Sequence, residues 1–148
     1  MAELIIIRGL PGSGKSTEAK KYLENSQHIV NIEADMFFTK ETGAYIFNPS
    51  QLQYAHRWCL DTAKIFLRQE KTVVVSNTFT TFSEIKDYVT FAVTAKIHIS
   101  IITMTNKFGS IHNVPDYAME RMSNRFVPHH EMIALVDKFS MEFGESST

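Results

Sequence analysis

Gly9-Leu10-Pro11-Gly12-Ser13-Gly14-Lys15-Ser16-Thr17 has the spacing G-x-x-x-x-G-K-[ST], and its residue types suit a polyphosphate. Glycines let successive backbone N–H groups turn toward one anion without Cβ clashes, and a helix starting at the end of the loop adds the positive end of its dipole. Lys15 is expected to reach the β- and γ-phosphates, and the Ser16 hydroxyl to ligate Mg2+. All nine residues are therefore candidate nucleotide contacts. Glu33-Ala34-Asp35 forms a second group of acids. Moving a phosphoryl group to a hydroxyl needs a carboxylate within hydrogen-bond reach of the attacking oxygen, positioned more than strongly activated. Asp35 is the leading candidate for that base and Glu33 the competing acid, while the purely structural alternative makes Asp35 a cap for the turn that follows. Arg121 and Arg125, four residues apart on one helix face, suit a lid that closes over the phosphates and supplies charge in the transition state. Ion pairing with Glu120 or other surface acids is their alternative role. Phe38, Asn77 and Thr78 are candidate acceptor contacts.

These groups meet only if the right elements carry them. Leu4-Ile5-Ile6-Ile7 reads as a buried parallel strand and Ser16 to Asn25 as a helix with Ala19, Tyr22 and Leu23 inward, so the loop stands between strand and helix. His28 to Ile32 is a second strand. Its following acids then lie beyond a strand's carboxyl end, where open parallel sheets bind ligands. Met36 to Asn48 is irregular, with Gly43 as a turn; Phe37, Phe38, Tyr45 and Phe47 either stack on a base or sugar or anchor the loop to the core. Pro49-Ser50 opens a helix to about Glu70, with Leu52, Ala55, Cys59, Ala63, Phe66 and Leu67 at helical spacing and His56 and Arg57 beside that stripe. Thr72 to Thr78 is a central strand ending in Ser76 and Asn77. Thr81-Phe82-Ser83-Glu84 matches a capping box before a helix to about Val93, whose inner face is Ile85, Tyr88, Val89 and Ala92. Lys96 to Ile102 is the fourth strand, with His98 as an interior or edge residue. Asp116 to Arg125 is helical, and a last helix opens at Pro128-His129-His130-Glu131 and runs to about Phe143, with Met132, Leu135, Val136 and Phe139 inward. The expected architecture is a three-layer α/β/α domain over residues 1–148, with a parallel sheet of about four strands in the order 2-3-1-4. A lid-like segment around 107–127 and a frayed tail at 145–148 complete it.

Composition narrows the partners. The chain has 148 residues, 15 basic against 16 acidic, 44% hydrophobic and 21% charged, so no global field draws it to nucleic acid. A local groove stays open as an alternative. Its single cysteine, Cys59, has no internal disulfide partner and rules out a Cys-rich zinc site. No run of about 18 apolar residues is present to cross a membrane, and a soluble, cytoplasmic protein is expected. Asn106-Lys107-Phe108-Gly109 lacks the aspartate that would read guanine, which leaves ATP as the expected nucleotide.

From Leu4 to about Pro128 the chain resembles a polynucleotide-kinase-like P-loop kinase of the small, single-domain kind. Besides the loop, the resemblance rests on Asn31 to Phe38, Gly43 to Pro49, Val73 to Thr78, and His112-Asn113-Val114-Pro115 followed by Arg121-Met122 and Arg125. It implies ATP-dependent phosphorylation of a 5′-hydroxyl on nucleic acid, Asp35 as general base, Lys15 and Ser16 in their usual roles, and a lid arginine on the γ-phosphate. Three features depart from the family. Ser76 stands where members often carry an acid, Met36-Phe37-Phe38 stand where an arginine often follows the base, and the phosphatase or ligase domain often fused to such kinases is lacking. The resemblance still makes the 5′-OH of an oligonucleotide or nucleoside the expected acceptor, and the departures leave it the best of several. A metabolite kinase and a nucleotide-dependent binding module with weak ATPase activity are the alternatives.

Overall fold

A computed structural model describes residues 2–24, 26–39, 48–106 and 114–146. Strands β1 (Glu3–Gly9), β2 (Ile29–Ile32), β3 (Thr72–Asn77) and β4 (His98–Met104) pair in parallel in the order β2-β3-β1-β4, as the sequence predicts. The helices are α1 (Lys15–Leu23), α2 (Leu52–Arg68), α3 (Phe82–Ala95), α4 (Asp116–Arg125) and α5 (His129–Ser146), with short 3-10 turns at Ala34–Phe38 and Pro49–Gln51. This is a P-loop α/β fold.

Alternation along the strands sorts the core into two halves. Leu4, Ile6, Val73 and Val75 face Ala55, Cys59, Ala63 and Leu67 of α2, Ile85, Val89 and Ala92 of α3, and Met132 and Val136 of α5. Ile5, Ile7 and Val74 face Ala19 of α1 on the other side. Burial on both faces is why the strands read as unbroken Ile/Val runs. Among the described residues, no helix is long and apolar enough to cross a membrane.

Several boundaries differ from expectation. Lys96 adopts a left-handed backbone (φ 58°) and caps α3, so β4 begins at His98 and runs to Met104. Leu23 is 37% exposed, because Tyr22 and Ile29 already cover the edge of the small α1-side core. Leu135 is 40% exposed, since Met132, Val136 and Phe139 fill the seam of α5, which packs chiefly against α3. The Thr81 side chain makes no capping bond; Glu84 instead accepts from the N–H and hydroxyl of Thr80, one residue earlier. Helix α5 extends through Ser146. Asn25, Gly43, Tyr45, Phe47, Lys107 to Asn113 and the last two residues lie outside the described residues.

Candidate active site

The carboxyl ends of β1, β2 and β3 open on one cavity of about 1310 Å3. In the loop beside it, Gly12 (φ 80°) and Gly14 (φ 94°) take left-handed backbone conformations that other residues resist. Gly9 answers a different constraint. A Cβ there would stand 2.8 Å from the Met104 carbonyl oxygen and run into Ser13 Oγ, so glycine lets the loop leave β1 against β4. Gly14 is the N-cap residue of α1, which aims that helix's N-terminal end into the loop. Lys15 Nζ donates to the Leu10 carbonyl at 3.1 Å and so lies back across the loop. Burial lowers its pKa below the usual lysine value, opposed by the charges of Glu33 and Asp35.

The acids follow β2. Glu33 Oε1 accepts from Ser16 Oγ at 2.9 Å and from Ser76 Oγ at 2.7 Å. Asp35, in the 3-10 turn, lines the same cavity as Lys15, Ser16, His56 and Arg125. Asn77 is 7% exposed, and its Oδ1 takes the Ala34 N–H at 2.8 Å, tying the tip of β3 to the turn that carries Asp35. Thr78 lines the cavity, and its carbonyl accepts from the Gly9 N–H at 3.2 Å.

Two candidates lie elsewhere. Phe38 is 8% exposed and belongs to the core, edge-on to Phe37, because the 3-10 turn carries it under the turn while Asp35 faces the cavity. The Arg121 guanidinium lies 5.6 Å from the Tyr117 ring centre, one helical turn back, and Arg121 is not among the cavity's lining residues. Arg125 is among them, and its Nε donates to Thr80 Oγ1 at 3.1 Å.

The structure adds residues that sequence reasoning set aside. Glu84 and Tyr88 reach the cavity from α3 and His56 from α2. Burial pulls the His56 pKa down, against the charges of Glu84 and Asp35. Arg8, fully buried, donates to the carbonyls of Phe79 (2.9 Å), Thr80 (3.3 Å) and Val127 (2.7 Å) and to Thr103 Oγ1 (3.1 Å). Its signal was a cation ending an apolar strand directly before the loop. A second cavity of about 430 Å3 opens beside the loop, against Gly14, Thr17, Met104 and Asn106.

Residues 4–106 match the family described as AAA domain (AAA_33). The chain belongs to that family. Over 87 residues it is 36% identical to human NEDD4-binding protein 2, covering 58% of this chain and 5% of that protein. A chain of the Pnkp1/Rnl/Hen1 RNA repair complex is similar in structure at 19% identity and a TM-score of 0.57, covering 99% of this chain and 46% of that one. The Mycobacterium tuberculosis APS kinase CysC, in complex with AMPPNP and APS, is similar at 19% identity and a TM-score of 0.53, covering 81% of this chain and 67% of that one. The AAA domain here thus has a kinase-like P-loop fold and spans less than half of the first two of these relatives.

Proposed function

We propose that this AAA domain transfers the γ-phosphoryl group of ATP to a hydroxyl, with the 5′-OH of an oligonucleotide or nucleoside as the leading acceptor. The carrying observation is that Lys15, Ser16, Asp35 and Arg125, from separate stretches of the chain, line one cavity around a glycine loop. In this reading the loop amides and the α1 N-terminus hold the phosphates. Lys15 leaves the Leu10 carbonyl for the β- and γ-phosphates. Thr17, Met104 and Asn106 beside the second cavity receive the nucleoside end. Asp35 accepts the acceptor's proton on a carboxylate oxygen as that hydroxyl oxygen bonds to the γ-phosphorus; the bond from phosphorus to the bridging oxygen breaks and ADP leaves. Lys15 and Arg125 offset the charge on the transferring group.

The donor set fits Mg2+. Ser16 Oγ and Glu33 present hard oxygens to one another, and among the described residues no cluster of three His, Cys, Asp or Glu would build an all-protein cage. That suits an ion that keeps several waters and takes the rest of its ligands from phosphates. Bound there, held by Ser16 and Glu33, Mg2+ would neutralise part of the phosphate charge.

Residues 1–148 act as one domain in this reading, with α4 in the lid, in the cytoplasm where ATP and Mg2+ are at hand. Cys59 is a buried thiol whose pKa burial pushes up to about 12. The relatives' RNA repair complex and AMPPNP-bound kinase support the nucleotide reading and both acceptor classes. A metabolite acceptor is favoured by Glu84, Leu52 and Met122 on the cavity wall, an acidic and apolar lining that suits a neutral hydroxyl compound.

Labelled ATP offered with 5′-hydroxyl oligonucleotides, nucleosides and a metabolite panel tests the proposal and sorts the acceptors. Asp35→Asn is expected to bind ATP normally and to transfer phosphate about 10²–10⁴-fold more slowly. Full transfer by that variant refutes Asp35 as the base. Nucleotide-dependent capture of a partner, with no acceptor phosphorylated, would point to a binding module.

A further inference from the structure

β3 ends in Ser76-Asn77, with no acid at the strand tip beside the loop. The nearest acid enters from β2. Glu33 has extended backbone angles (φ −135°, ψ 148°) and immediately precedes the 3-10 turn, so the strand rather than a loose loop aims it. A single oxygen of its carboxylate accepts both the Ser16 hydroxyl and the Ser76 hydroxyl. Each of these bonds has its own consequence. A hydroxyl that turns a lone pair to a cation must give its proton to another acceptor, and Glu33 is the acceptor that Ser16 already has. Ser76, in turn, fixes the carboxylate from the strand tip where an acid would otherwise stand.

Resting on the nucleotide and Mg2+ reading above, we propose that Glu33 is the carboxylate of the divalent-cation shell, supplied by β2 in place of the acid missing from β3, with Ser76 as the clamp that orients it. The two acids after β2 then divide the work. Glu33 serves the loop hydroxyl, and Asp35 serves the acceptor across the cavity. Of the two, Glu33 acts more strongly on the Lys15 ammonium, in keeping with a place at the phosphate end.

The test measures AMPPNP affinity over a series of Mg2+ concentrations, with no turnover involved. Glu33→Gln is expected to raise the Mg2+ concentration at half-effect by about tenfold or more, the range for outer-shell partners of a metal, while metal-free AMPPNP affinity stays unchanged. Ser76→Ala should move the midpoint the same way by a smaller factor. Asp35→Asn, which removes the same charge two residues further on, should leave it in place. An unmoved midpoint in Glu33→Gln overturns the assignment. So does an equal shift in Asp35→Asn, or a matching loss of metal-free affinity in Glu33→Gln. If the glutamine variant does not fold, Glu33→Asp replaces it: the shorter acid should raise the midpoint, and an unchanged one overturns the assignment. A wild-type chain that binds no AMPPNP at any Mg2+ concentration overturns the nucleotide reading and this inference together, a result distinct from the others.

Discussion

His56 sits on the cavity wall between α2 and the acids, and its burial lowers its pKa despite Glu84 and Asp35. The unfolded chain therefore binds this proton more tightly than the folded one. Stability rises with pH wherever the unfolded state holds more protons, so His56 is expected to cost stability as pH falls below about 6.5. Thermal unfolding followed from pH 7 to pH 5 should show a shallower loss in His56→Gln than in the wild type, and parallel curves would show that His56 is not the source. Not all of this region was legible beforehand. Motif spacing pointed to Lys15, Ser16 and the acids, since a nine-residue loop is a local pattern. That Ser76 answers Glu33 across 43 residues is a fact of strand register, with Ile32 paired to Val75. Phe38 misled for a related reason: an aromatic residue after a candidate base reads the same whether a turn sends it into the cavity or into the core.

The apolar runs marked the strands and the connection rules of open parallel sheets suggested their order, but the ties at the strand ends were not legible. Phe79, Thr80 and Val127 offer backbone carbonyls around the Arg8 guanidinium, and the Val127 N–H returns a bond to the Thr80 carbonyl at 2.8 Å. The Phe126 ring lies 4.1 Å from the same guanidinium. Arg8 thus fastens β1 to the end of β3 and to the junction between α4 and α5. Thr80 passes that order on to Arg125 and Glu84. Burial lowers the Arg8 pKa to about 10, still leaving it charged at neutral pH. Arg8→Leu keeps an apolar side chain but removes the donor from the Phe79 and Val127 carbonyls, while the Thr80 carbonyl keeps the Val127 N–H, and buried acceptors left without a partner cost about 1–3 kcal/mol each. The expected loss is about 3 kcal/mol or more, read from the urea midpoint, and a loss below about 1 kcal/mol would mean that water replaces the guanidinium without penalty. Periodicity has no means of showing this joint, because it marks Arg8 only as the charged end of a strand. Helix faces were legible where one seam dominates, as in α3, and less so in α5, whose apolar residues outnumber the places on its seam.

The molecule places its glycine loop, its acids and Arg125 around a cavity at one end of the sheet, with the two core halves behind it. A ligand there would touch the segments that follow β1 and β2, the end of β3, and helices α1, α2 and α3 together, so its binding energy would add to the stability of the whole domain. At about a hundred times its Kd, a ligand that binds only the folded state adds about 2.7 kcal/mol. For a chain of this length each kcal/mol is worth about 2–4 °C in Tm, giving an expected rise of about 5–10 °C with ATP and Mg2+. On the proposed reading the loop holds phosphates rather than the base, so adenosine at the same concentration should raise Tm little. Lys15→Ala should shrink the ATP effect, because on that reading it removes the cation proposed to exchange the Leu10 carbonyl for the phosphates. An equal rise with adenosine and ATP would instead mean that the second cavity, beside Met104 and Asn106, dominates binding and that the loop is a structural turn. The same titration separates function classes when it is paired with the transfer assay. A large rise with ATP and no phosphorylated acceptor describes a nucleotide-dependent binding module, whereas a large rise with transfer that Asp35→Asn slows about 10²–10⁴-fold describes a kinase.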